Sequence, residues 1–180
     1  MKREIFHEID IPEGVEVNIE KNTIFVKGSE GENKRKFYIG KLKMEKKDNK
    51  IKIGYEKSSK NEKRNMNTII SHIKNLIKGV QEKFEYKLKI CFSHFPITVE
   101  IKNNEAIIKN FLGEKIARKF QLPKDAEVEM NKDILTVKSI DKEIAGQTAA
   151  ILERSTRITN KDRRVFQDGI FMINKAGKEI

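Results

Sequence analysis

The chain says the same thing twice. Val17-Asn-Ile-Glu-Lys-Asn-Thr-Ile-Phe-Val-Lys27 can be laid over Val99-Glu-Ile-Lys-Asn-Asn-Glu-Ala-Ile-Ile-Lys109 at an offset of 82 residues. Val17 then falls on Val99, Ile19 on Ile101, Val26 on Ile108 and Lys27 on Lys109. Further on, Gly31 and Glu32 fall on Gly113 and Glu114, and one added residue brings Phe37 onto Phe120. Two copies within 180 residues predict two like units in tandem, each of small-domain size.

Each matched stretch alternates apolar and polar residues, with an Asn-containing turn in the middle (Glu20-Lys21-Asn22 and Lys102-Asn103-Asn104). That is the signature of a β-hairpin. Short strands follow at Ile51–Ile53 and Ile134–Val137, after polar turns at 47–50 and 130–133. The period then changes. Met66, Ile69, Ile70, Ile73, Leu76, Ile77, Val80 and Phe84 recur at helical spacing, as do Ile144, Thr148, Ile151, Leu152, Ser155 and Ile158. Asn65 and Asp141 are the expected N-caps, since a short side-chain acceptor satisfies the first exposed amides. A last strand is expected to close each half, Tyr86–Phe92 and Gly169–Ile173. One amphipathic helix cannot bury its stripe alone, and the apolar face of a small sheet solves the problem for both. The expected fold is therefore α+β: two duplicated domains, 1–92 and 93–180, each an antiparallel sheet on one helix, joined near Ser93–Pro96.

Lys and Arg number 38 against 27 Asp and Glu, a net charge of +11. Hydrophobic residues make up 37%, below the roughly 45–50% of ordinary domains, so the cores must be thin. No run approaches the roughly 18 apolar residues of a membrane span, and residues 1–12 lack the apolar stretch of a signal peptide. A single cysteine, Cys91, forms no internal disulfide and fits a reducing compartment. These features predict a soluble intracellular protein whose partner is negatively charged.

The excess is concentrated in two places. Lys34 to Arg64 holds thirteen basic and four acidic residues, nearly all the basic ones lysine. Arg154, Arg157, Lys161, Arg163 and Arg164 form a shorter cluster opposed by Asp162. Arginine grips phosphate with a planar fork, whereas lysine is closer to a mobile point charge. The lysine run reads as a solvated face or a source of long-range attraction; the arginine cluster is the better candidate for a defined phosphate contact.

Other motifs are weaker. Gly28-Ser29-Glu30-Gly31 matches a GxxG backbone clamp, but strand-like sequence precedes it, so a turn at a strand end is expected. Cys91 and His94 have a metal-compatible gap without a second pair, and a closed zinc site needs four ligands. Cys91 is instead expected as a buried thiol on a strand. Glu143 and Glu153 read as a solvated helix face. No nucleophile–base arrangement, phosphate loop or dinucleotide fingerprint is present, so no catalytic chemistry or cofactor is implied. Asn110-Phe-Leu-Gly113 places Phe111 either in the core or before a partner, with Lys109, Lys115, Arg118 and Lys119 around it. Thr156 to Gly169 is a long basic connection where a short loop would suffice, and such loops tend to be functional or disordered.

Three strings, Asn110-Phe-Leu-Gly-Glu-Lys115, Gly146-Gln-Thr-Ala-Ala150 and Asp162-Arg-Arg-Val-Phe-Gln-Asp-Gly-Ile170, resemble the universal protein six family of the large ribosomal subunit, in its archaeal and eukaryotic branch. The resemblance spans essentially the whole chain. It implies two related α+β domains bound to large-subunit ribosomal RNA, mainly through the C-terminal one. The contact would lie near the sarcin–ricin loop, close to translational GTPases and neighbouring ribosomal proteins, with the chain a monomer in the cytoplasmic particle. Carried over by position, Arg157, Lys161, Arg163, Arg164, Gln167, Asp168 and Gly169 would face RNA; Arg154, from the arginine cluster itself, is expected to join them. The loop from Lys109 through Lys115 to Arg118 and Lys119 is a second contact, while Gly146 and Gln147 are architectural. Ala117 stands where the family often has proline, leaving that loop less pre-organised. The alternative reading is a non-ribosomal basic RNA-binding module using the lysine face.

Overall fold

The computed structural model describes residues 3–47 and 49–180, so Asp48 of the lysine-rich run lies outside the described residues. The chain forms two compact units, Met1–Lys83 and Phe84–Ile180.

The first unit runs β1 (Arg3–Asp10), β2 (Glu16–Glu20), β3 (Thr23–Gly28), β4 (Gly31–Lys36), β5 (Lys43–Lys47), β6 (Lys50–Ser58) and α1 (Lys60–Gln81). Two antiparallel three-stranded sheets result, ordered β2-β3-β4 and β1-β6-β5. The helix packs on β3, β4 and β6, burying Met66, Ile69, Ile73, Leu76, Ile77 and Val80. These meet Ile24, Val26, Ile51 and Ile53, all at most 1% exposed. Each such side chain contributes about 1.5–3 kcal/mol, most of it offset by lost conformational entropy.

The helix begins earlier than expected. Ser59, not Asn65, is its N-cap: the Ser59 amide donates to Glu62 Oε2 at 2.9 Å and its hydroxyl donates to the same oxygen. Ser59-x-x-Glu62 is a capping-box pattern, and those bonds lower the Glu62 pKa, the hydroxyl contribution being largest. At the other end, the GxxG string is a clamp on helix carbonyls. Glu30 N donates to Val80 O at 3.0 Å, and a Cβ on Gly28 would stand 2.7 Å from the same oxygen. Only glycine lets the β3–β4 turn approach the helix terminus so closely.

The second unit runs β7 (Phe84–Cys91), β8 (Thr98–Lys102), β9 (Glu105–Lys109), a 3-10 turn (Phe111–Gly113), β10 (Arg118–Gln121), β11 (Glu127–Asn131), β12 (Ile134–Ser139), α2 (Lys142–Ser155), β13 (Gly169–Lys175) and β14 (Lys178–Glu179). Its sheets are β8-β9-β10 and β11-β12-β7-β13-β14. Asp141 caps α2 as expected, accepting from Glu143 N at 2.8 Å. The buried face of α2 is Ala145, Thr148, Ala149, Leu152 and Ser155, smaller residues than the predicted Ile144 and Ile151, which are half-buried.

The duplication holds strand by strand. The sheet β2-β3-β4 corresponds to β8-β9-β10, and β1-β6-β5 to β7-β12-β11. Phe37 N donates to Asn22 O at 2.8 Å and Leu122 N to Asn104 O at 2.7 Å. Leu122, not Phe120, is therefore the counterpart of Phe37. The correspondence also moves the boundary. The strand expected to close the first half, Tyr86–Phe92, is β7, the opening strand of the second unit and the equivalent of β1. The units divide at Lys83/Phe84 rather than after Phe92, and Ser93–Pro96 lies inside the second unit between β7 and β8. The physical reason is pairing: β7 hydrogen-bonds along its length to β12 and β13. Phe84, assigned by period to the first helix, is the first residue of that strand.

Candidate nucleic-acid interface

The arginine-bearing connection leaves the C-terminus of α2 and returns to the sheet at β13. Its base is closed by one residue. Thr156 Oγ1 accepts from Ile170 N at 2.8 Å and donates to Glu153 O at 3.3 Å, so residues 157–168 form a compact Ω-type loop. A short turn builds its tip: Phe166 N and Val165 N donate to Asp162 O at 2.9 and 3.1 Å, and Arg164 N donates to Asp162 Oδ1 at 2.9 Å.

Asp168 locks the returning limb. It is 1% exposed and accepts from Ser93 N at 2.7 Å, His94 N at 3.0 Å and His94 Nδ1 at 2.6 Å. Burial works to raise its pKa, but the two backbone amides and the imidazole outweigh it, and the carboxyl is held at about 2. An ionised carboxylate only accepts, so Nδ1 carries the proton. The His94 ring stacks on Phe166, centroids 4.8 Å apart, and Lys161 Nζ lies 4.5 Å from the same ring centre. Gly169 follows at φ +154°, where a Cβ would press on Thr156 Oγ1 and the Phe171 ring.

The predicted residues therefore divide by role. Arg154, Arg157, Lys161, Arg163 and Arg164 are exposed, as is Gln167, which donates from Nε2 to Arg164 O at 3.2 Å. Arg164 also holds Asp162, Nη2 to Oδ2 at 2.8 Å, lowering the Asp162 pKa, yet its side chain is 90% exposed. Asp168 and Gly169 are buried; they position the loop and do not present a surface.

The second predicted contact lies at the same end of α2. Arg118 Nη1 donates to Ser155 O at 2.7 Å, at the negative end of the helix dipole. Its Nε and Nη2 donate to Glu114 at 2.8 and 2.5 Å, and the guanidinium lies 4.5 Å from the Phe111 ring centre. Every side of that fork is used internally. Phe111 is 1% exposed, so of its two possible places it occupies the core. Lys109 pairs with Glu100 at 2.5 Å, while Lys115 and Lys119 are exposed. Gly146 packs against Tyr86.

The sequence marks His94 only as half of a metal-compatible gap with Cys91 and Ser93 only as part of the expected domain join; neither carries a signal of its bond to Asp168. Much of the lysine-rich run is engaged locally: Lys46 Nζ donates to Val17 O at 2.8 Å, Lys50 pairs with Glu8 and Asp10, and Lys52 lies over Phe6. Between α2 and β13, Arg154, Arg157 and Arg163 rim an open groove of about 720 Å3.

The fold is that of a duplicated α+β structural scaffold carrying a clasped, arginine-bearing loop at the end of α2. Comparison with known proteins shows the family. The family model described as Ribosomal protein L6 matches residues 11–83 and 95–169, one segment per repeat. The protein named large ribosomal subunit protein uL6 is 46% identical in Nanoarchaeum equitans, over 98% of this chain and 96% of that one. Its namesake in Methanobrevibacter smithii is 43% identical over 95% and 96%, and that of Methanothrix thermoacetophila 39% over 97% and 99%. The chain belongs to the ribosomal protein L6 family, a family of structural components rather than enzymes.

Proposed function

We propose that this chain is a structural component of the large subunit of the cytoplasmic ribosome that docks on large-subunit ribosomal RNA through Arg154 at the end of α2 and the loop that follows it, 157–168. Its relatives bear the name of a large-subunit protein, which supports the placement. The carrying observation is the locked loop. Thr156 closes its base and Asp168 pins its returning limb, while Arg157, Arg163 and Arg164 project into solvent. Guanidinium groups on a stiff support bind phosphate with little ordering cost. A-form grooves hide base edges, so backbone and shape contacts dominate. In this reading the docking site is near the sarcin–ricin loop, beside the region that translational GTPases occupy, with ribosomal proteins as neighbours and the chain monomeric within the particle. Lys115 and Lys119 add a flanking contact.

The test compares two double variants in titrations against the cognate rRNA fragment. Arg163→Ala with Arg164→Ala should weaken binding far more than Lys34→Ala with Lys36→Ala, and should lower the salt slope by about one for each phosphate no longer neutralised. Lys46 is a poor control because its ammonium holds the Val17 carbonyl. Equal losses would remove the loop from the interface and favour a generic lysine-face binder.

A further inference from the structure

We propose that the groove beneath the arginine loop takes one unpaired RNA nucleotide, its base lying on the Phe171 ring and its phosphates on Arg157 and Arg163. This rests on the RNA-binding reading above and specifies what that site recognises.

Four observations point there. The groove, about 720 Å3, falls within the roughly 300–1,000 Å3 of clefts that seat small ligands, and it suits a single nucleotide rather than a duplex. Its lining joins apolar Ile158, Ile170 and Phe171 to Arg154, Arg157 and Arg163. An aromatic platform beside guanidinium groups is the chemistry that holds unstacked bases. Of its two aromatic rings, Phe166 already meets His94 and Lys161, whereas Phe171 is 39% exposed. Finally, Phe171 stands opposite Lys89, which stands opposite Ile134, and directly opposed residues share one sheet face. Lys89 therefore stands on the same sheet face as the platform. Two carboxylates also line the groove. Asp168 is consumed by Ser93 and His94, and Glu153 is half-buried at the helix end, a repulsive element that disfavours a phosphate on that side and directs it toward Arg163.

The experiment uses the full chain and two fluorescent RNA hairpins differing only in whether one 2-aminopurine nucleotide is bulged or paired. The bulged hairpin should bind about tenfold more tightly, as expected for one base–aromatic stack, with a change in 2-aminopurine emission. Phe171→Leu, which keeps apolar volume but has no π-face, should bring the two hairpins to one affinity; Phe171→Tyr should restore the difference. Equal affinities for the unaltered chain, or a preference that survives in F171L, would overturn the inference while leaving RNA binding by the loop intact. Failure to bind either hairpin would overturn both.

Discussion

The carboxylate of Asp168 and the imidazole of His94, 74 positions apart in the chain, meet at 2.6 Å. The pair is one strut of a clasp completed by the Ser93 and His94 amides. It fixes the loop to the turn that follows β7, on the same sheet from which β13 departs. Its acidic member sits in a basic string yet points inward, at 1% exposure, which gives it a role distinct from that of its neighbours.

Replacing Asp168 by Ala should therefore act on RNA binding indirectly. Two partly buried amides and a ring N–H would lose their acceptor, at a stability cost of about 1–3 kcal/mol in all. Urea denaturation should report that loss. Affinity for the rRNA fragment should fall as well, although Arg163 and Arg164 are untouched. Undiminished affinity in D168A would show that the loop binds without its clasp.

Acid should unfasten the same contact. Because the folded-state pKa of Asp168 is depressed from 3.8 to about 2, the folded protein binds fewer protons than the unfolded chain in that range. Its contribution, about 2 kcal/mol, is fully present above pH ~4 and is lost as pH falls toward ~2. Thermal melts of the native chain and D168N across that window should converge at the acid end and separate at neutral pH.

Arg118 and its lysine neighbours should separate stability from binding. Arg118→Ala removes the bond to Ser155 O and both bonds to Glu114, so it should cost about 1–3 kcal/mol of stability with little change in the salt slope of RNA binding. Lys115→Ala with Lys119→Ala should do the reverse. A flattened salt slope in R118A would mean that its fork turns outward to phosphate.

In the first unit, Gly28→Ala should destabilise by about 1–3 kcal/mol, because the added methyl meets the Val80 carbonyl at 2.7 Å. Calorimetry should show a lowered melting transition, and binding to the rRNA fragment should be retained. An unaltered transition would mean that the β3–β4 turn gives way at no cost.

Local features were readable from residues alone, and long-range ones were not. The hairpins at 16–28 and 98–109 follow from period-two alternation and from turns with positive φ at Lys21 in the first and at Asn103 and Asn104 in the second. The Ser59 cap is also legible in the chain as Ser-x-x-Glu, but Asn65 stands nearer the apolar stripe and gives the competing signal. The allegiance of β7 was hidden because a strand's sequence does not name its partners. Arg118 reads like any basic loop residue; only its geometry shows that its donors are spent on Glu114 and a helix carbonyl. The clasp has no local signature, since Asp168 finds His94 only after β13 has paired with β7.

The place of β13 has a consequence for biogenesis. In the first unit β1 is an edge of its sheet, whereas β7, its counterpart, is flanked on its second side by the strand that follows the arginine loop. Thr156 cannot meet Ile170, nor Asp168 the amides after β7, until that late strand has left the translating ribosome that makes it. A nascent chain therefore carries its guanidinium groups on an unclasped segment until synthesis reaches β13.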